Sequence, residues 1–148
     1  MVIHSTYNEK LFLAGGDLFS LESIERHDGM LVFVHKGFNV LWNNLKKAKE
    51  EGKLNFPTHI IDNIPDTCEQ VTSATMQGLS ALANQGCRKI VVHGGKVKNG
   101  SYIEGARACL HGVEQWLKSN NDKVDYITMI DRKDDYYKQF KIELEKGE

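Results

Sequence analysis

Residues 88–101 read RKIVVHGGKVKNGS. Ile90, Val91 and Val92 form a continuous apolar run rather than an alternating one, the pattern of a strand buried on both faces, as in a parallel sheet. Gly94 and Gly95 end it. Ser101, followed three residues later by Glu104, has the pattern of a capping box, in which a side-chain oxygen satisfies the first free N–H groups of a helix. The stretch is therefore a strand, a glycine- and lysine-rich loop and a helix start.

Working outward, the helix opened at Ser101 runs to about Asn120, with an apolar stripe of Ile103, Ala106, Leu110, Val113 and Leu117 at three-four spacing. Val124 to Ile130 follows as a strand, and Lys133 to Glu145 as a closing helix packing through Tyr137, Phe140 and Leu144. Upstream, Gly86 closes a helix that begins at Asp66 and Glu69, a second capping-box pattern, with the stripe Cys68, Val71, Thr75, Leu79 and Leu82. Thr58 to Ile64 is a strand ending at Pro65. Phe38 to Glu51 is an amphipathic helix through Phe38, Leu41, Trp42, Leu45 and Ala48, closed by Gly52. Before it lie β-prone stretches at Val2 to Ser5, Lys10 to Ala14 and Met30 to His35. This alternation of strands and helices predicts a three-layer α/β/α domain with a central mixed, mainly parallel sheet, spanning residues 1–148 as one unit. Val91, Val92, Ile127 and Met129 are expected on its central strands.

Composition agrees with one ordinary domain. The chain has 148 residues, 41% hydrophobic and 26% charged, with a formal net charge of −1, so nothing draws it generally to nucleic acid or anionic membrane. The longest apolar run, Met30 to Val34, is far too short to span a bilayer, and a cytoplasmic protein without membrane partners is the expectation. Cys68, Cys87 and Cys109 lie far apart with no C-x-x-C pair, and the histidines His4, His27, His35, His59, His93 and His111 are scattered. No disulfide framework, metal site or cofactor is signalled. Cys68 and Cys109 fall on apolar stripes and are expected to be buried and slow to react.

Ligands of open parallel sheets bind beyond the carboxyl ends of the strands, which directs attention to three loops. Gly94 to Ser101 has the chemistry of an anion cradle: glycines admit close approach to backbone N–H groups, the loop ends at a helix N-terminus, and Lys96 and Lys98 add positive charge. Both lysines are expected to act as exposed charges, and the bland alternative for the loop is a solvated strand-to-helix turn. Asp17, after Gly15 and Gly16, can accept a hydrogen bond from a ligand amine or cap the turn Leu18 to Leu21. Asn39, with Asn43 and Asn44 behind it, can offer amides to a ribose or cap a helix. His35 and His93 each end a strand, and a general-base role would require a partner in reach.

Taken together, LAGGDLF (13–19), HIIDNIP (59–65), NQGCRKIVV (84–92) and VDYITMIDRKDDYYKQFKIEL (124–144) resemble the macrodomain family over most of the chain. That resemblance implies binding of ADP-ribose or a related adenine nucleotide and, in some members, hydrolysis of ADP-ribose esters, glycosides or a terminal phosphate. It implies that Asp17 holds the adenine amino group with the Leu18 backbone beside it. Gly94, Gly95 and Lys96 to Ser101, including Asn99 and Gly100, would form the second phosphate loop. Asn39 would stand near the distal ribose and Ile130 against adenine.

The chain departs from the family where hydrolysing members carry an Asn-Ala-Ala-Asn-like stretch and a run of glycines. Residues 34–45 read VHKGFNVLWNNL, with the single glycine Gly37 and the bulky Trp42. The second loop is also a residue short and lacks the usual aromatic. The leading expectation is therefore a divergent module that binds ADP-ribose, free or on a modified protein, with little catalysis. The alternatives are a hydrolase of an ADP-ribose derivative, and a non-catalytic module presenting Lys46, Lys47, Lys49, Lys96 and Lys98 to RNA or a protein. Glu50 and Glu51 on the same helix make a merely solvated face the simpler account of the first three lysines.

Overall fold

A computed structural model describes residues 2–6, 8–34, 40–62, 64–93, 96–131 and 140. In chain order the elements are β1 (Val2–Ser5), β2 (Leu11–Gly15), α1 (Leu21–Arg26), β3 (Gly29–Phe33), α2 (Val40–Glu50), β4 (Thr58–Ile61), α3 (Cys68–Asn84), β5 (Lys89–His93), α4 (Tyr102–Asn120) and β6 (Tyr126–Asp131). Among the described residues the strands form a six-stranded sheet in the order β1-β2-β6-β5-β3-β4. β1 runs antiparallel to β2, and every other pairing is parallel. The mixed, mainly parallel sheet is thus present, and β5 and β6 lie at its centre.

The period of two along each strand sorts its side chains between two cores. Leu31, Val92 and Met129 face one side, where Val71, Leu79 and Leu82 of α3 and Leu110, Val113 and Trp116 of α4 cover them. Met30, Val32, Val91 and Ile130 face the other, beneath Leu45 and Ala48 of α2. Both faces of the central strands are therefore dry, which is why RKIVVH is apolar without alternation. α3 and α4 approach closely at Gly112, where a Cβ would stand 2.8 Å from the carbonyl oxygen of Thr72 and 3.0 Å from Thr75 Cβ. Thr72 Oγ1 donates to Ala108 O at 2.8 Å and Trp116 Nε1 to Ser80 Oγ at 2.9 Å across the same seam.

Several expected boundaries move. β3 ends at Phe33 and β4 at Ile61, before the His35 and Ile64 ends expected. The α3 cap is Thr67 with Gln70, not Asp66 with Glu69. Gln70 Oε1 accepts from the N–H groups of both Asp66 and Thr67 while Thr67 Oγ1 accepts from Gln70 N–H, so the reciprocal box closes, and the helix starts, one residue later. Cys68 consequently occupies the first helical position, and it is exposed while Cys87 and Cys109 are buried. Its place on the stripe extends beyond the covered face, which begins at Val71. α1 was not anticipated, the expectation stopping at a turn over Leu18 to Leu21; it buries just Ser23 of its six residues, so it carries no amphipathic signal. Phe140 is fully buried in the α3–α4 core, while the rest of the closing segment 133–145 lies outside the described residues.

Candidate functional site

The five parallel strands end on one side of the sheet, and the segments leaving β3 and β5 lead to helices on opposite faces, α2 and α4. Diverging connections open a crevice at such a switch point. Four pieces of chain meet along this carboxyl edge: the turn after β2, the end of β5, the loop into α4 and the end of β6.

The turn after β2 is fixed to β6 by Gly16 N–H, which donates to Asp131 O at 2.9 Å. Asp17 then does what a capping residue does: its Oδ1 accepts from Phe19 N–H at 3.0 Å, and its carbonyl accepts from Ser20 N–H at 3.1 Å. It remains exposed, and it lines a groove of about 360 Å³ with Phe19, Asn44, Lys47 and Ala48, closed by Glu51 and Lys53. The structure thus brings Asp17 and Asn44 to one groove. Leu18 turns inward, buried in the α2-side core. Ile130 does likewise and has no exposed surface.

The loop into α4 is held from both sides. Val97 is buried against the α3–α4 core, and Lys98 N–H donates to Pro65 O at 2.8 Å. Asn99 Nδ2 donates to Asp66 O at 3.3 Å, and the exposed Lys98 ammonium stands 3.9 Å from the Asp66 carboxylate. A Cβ on Gly100 would fall 2.8 Å from Val97 Cγ1 and 2.9 Å from Glu104 Oε2. Ser101 caps α4 by accepting from Glu104 N–H at 3.2 Å, and its hydroxyl donates to Glu104 Oε1 at 3.1 Å. The α4 N-terminus, whose dipole favours negative charge, thus already carries a carboxylate of its own chain.

Lys96 differs from Lys98, against the expectation that both act as exposed charges. It is half-buried, and burial pulls its ammonium below the usual lysine range, while the nearby negative charge of Asp131 opposes the shift. Asp131, which the sequence reading did not single out, is buried at 7% exposure; the available signal was a lone carboxylate ending the apolar run YITMI. His93 closes β5 half-buried at the same edge. Asn39, Gly94, Gly95 and His35 lie outside the described residues. Chemically, the described edge offers a half-buried lysine and a buried aspartate, beside a turn whose exposed carboxylate borders an open groove.

Comparison with solved structures places this architecture. The chain is similar to the macrodomain of Trypanosoma brucei in complex with ADP-ribose (TM-score 0.66, 13% identity, covering 90% of this chain and 68% of that one). It is similar also to the complex with ADP (TM-score 0.65, 13% identity, covering 89% and 67%). No family model and no curated protein sequence matches the chain. The fold is that of a macrodomain.

Proposed function

We propose that this protein binds ADP-ribose or a related adenine nucleotide at the carboxyl edge of its sheet, free or attached to a modified protein, with little turnover. The supporting observation is the structural match, over 90% of this chain, to a macrodomain solved with ADP-ribose and, over 89%, with ADP. The Asp17 turn and the Lys96 segment converge at the edge where a sheet of this kind receives ligands. In this reading Asp17 accepts from the adenine amino group, and the Lys96 to Ser101 segment lies along the phosphates.

The reading of weak catalysis rests on residues 34–45. Hydrolysis needs a positioned water and donors for developing charge, and VHKGFNVLWNNL has neither the Asn-Ala-Ala-Asn-like spacing nor the glycine run that the macrodomain resemblance associates with that work. The deciding experiment is calorimetric titration with ADP-ribose, AMP, NAD and a short poly(A) strand, accompanied by thermal shift. A native-state ligand at a hundredfold excess over Kd adds about 2.7 kcal/mol of stability. A response to ADP-ribose supports the proposal, and no response to any nucleotide rejects it in favour of a module that has lost this ligand.

A further inference from the structure

α1 is a weak element between two firm ends. Its six residues are too few to hold a helix by propensity, it buries only Ser23, and Leu21 is 71% exposed. Ahead of it, Gly16 N–H donates to Asp131 O. Behind it, Asp28 N–H donates to Lys89 O at 2.8 Å, and the Asp28 carboxylate accepts from the N–H groups of Arg88 at 3.0 Å and Lys89 at 2.8 Å. The carboxyl end of α1 meets the sheet at the start of β6. There the Tyr126 hydroxyl donates to Arg26 O, and the buried His27 ring stands edge-on to the Tyr126 ring, 5.9 Å between centroids.

The state of the His27 ring decides whether that contact is tolerable. Nδ1 lies 2.6 Å from the Ser23 carbonyl, an acceptor, so the neutral ring keeps its proton there and Nε2 is bare. Nε2 is buried with no hydrogen-bond partner among the described residues, and so are the Ser23 hydroxyl and Arg26 Nε of the same turn. A second proton places a charged donor at Nε2 with no acceptor to receive it, which is costly in a buried site. Burial is the main force against that charge, and the Arg26 guanidinium adds to it; the Ser23 carbonyl and the Asp28 carboxylate act the other way. Undocking α1 exposes all three unpartnered groups to water.

We propose that the neutral His27 ring is a pH-sensitive latch holding α1 to the start of β6, and that a second proton on it releases residues 20–27 between the fixed points Gly16 and Asp28. The release reaches the carboxyl edge, because Ser20, which caps α1, donates its N–H to Asp17 O. A loosened α1 therefore loosens the Asp17 turn and weakens an adenine nucleotide held there. This coupling to a ligand rests on the nucleotide reading; the latch itself does not.

The test is hydrogen exchange of the full chain at pH 7.5 and 5.5, expressed as protection relative to the unstructured rate at each pH. A ring that titrates near 6.5 when released favours the open form by up to about tenfold at pH 5.5. Protection of the Ile24 to His27 amides should fall by about that factor, while Asp28 and the amides of α3 and α4 keep theirs. His27→Gln should remove the pH dependence. Tyr126→Phe, which loses the bond to Arg26 O without touching the ring nitrogens, should lower α1 protection at both pH values and leave the dependence in place. Imidazole NMR of the parent checks the latch without any variant. A native His27 that titrates at or above its ordinary value overturns the inference, as does unchanged α1 protection, a loss shared equally by Asp28 and α3, or a pH dependence that survives His27→Gln. Calorimetry with ADP-ribose then reads the coupling: affinity should be lower at pH 5.5 than at 7.5 in the parent and equal in His27→Gln. Equal parent affinity at both pH values overturns the coupling, and no binding at either pH rejects the nucleotide reading while the exchange result still decides the latch.

Discussion

Replacing Asp17 with alanine separates its two roles, because they differ in size and in readout. In the structure its Oδ1 accepts from Phe19 N–H at 3.0 Å, on an exposed turn. Loss of a capping acceptor costs about 0.5–2 kcal/mol, and exposure places this case toward the lower half, about 0.5–1 kcal/mol. For a chain of this size that corresponds to a fall in Tm of about 2–4 °C. If the carboxylate also accepts from an adenine amino group, a hydrogen bond to a charged group worth about 1.5–3 kcal/mol is lost on binding. Affinity for ADP-ribose and ADP should then fall about 10- to 150-fold, while ribose 5-phosphate and pyrophosphate bind as before. Asp17→Asn keeps a turn acceptor and should recover most of the Tm with only part of the affinity. Thermal unfolding and calorimetry read the two effects separately. Adenine nucleotides that bind Asp17→Ala as tightly as the parent would reduce Asp17 to a cap, and an equal loss for ribose 5-phosphate would show that the turn itself had collapsed.

Three further outcomes follow from the packing. Gly112→Val should destabilise the protein by about 2 kcal/mol or more, lowering Tm by several degrees, because its Cβ meets the Thr72 carbonyl at 2.8 Å and overpacking outweighs the roughly 0.5 kcal/mol of helix propensity gained. A thiol reagent at pH 8 should modify Cys68 rapidly in the folded protein, and Cys87 and Cys109 only on unfolding, since the latter two are buried and burial pushes the Cys109 thiol up to about 12. Stability should fall as pH drops below about 6.5. His27 is held below its ordinary pKa, chiefly by burial and against the bond its ring makes to Ser23 O. The unfolded chain therefore takes up the proton first, so the contribution is intact above the unfolded value and declines until the native His27 itself protonates. Denaturant melts of the parent from pH 7.5 to 5, with His27→Gln flattening the decline, measure it.

His27 also illustrates what a sequence conceals. Its Nδ1 lies 2.6 Å from the carbonyl of Ser23, which accepts, so the neutral ring carries its proton on that nitrogen. Tyr126, from the far end of the chain, sets its ring edge-on against the imidazole, 5.9 Å between centroids. Nothing local in LESIERHDG announces that meeting. By contrast, the central strands were legible because burial on two faces leaves a local trace: Val91 and Val92 go to opposite cores, and both must be apolar. α1 left no such trace, since Leu21 is 71% exposed and a single buried serine sets no period. Cys68 shows the reverse error, where a periodic stripe ran one turn beyond the surface that covers it.

The same physics explains why the candidate site was legible in outline and not in its chemistry. Glycines and an aspartate after strands mark where loops open, which is a property of the chain alone. Whether a lysine there is screened depends on its neighbours, and Lys96 and Lys98 differ through Val97 between them. Val97 is buried, with Lys96 half-buried on one side of it and Lys98 exposed beside Asp66 on the other. Gly100, with no space for a Cβ beside Val97 and Glu104, closes the loop tightly enough for Ser101 to cap α4 with Glu104. The carboxylate that stabilises this helix start also excludes a second anion from it. A loop whose glycines and helix start suggest a backbone cradle thus carries, at its described end, a helix N-terminus that already faces a carboxylate of its own chain.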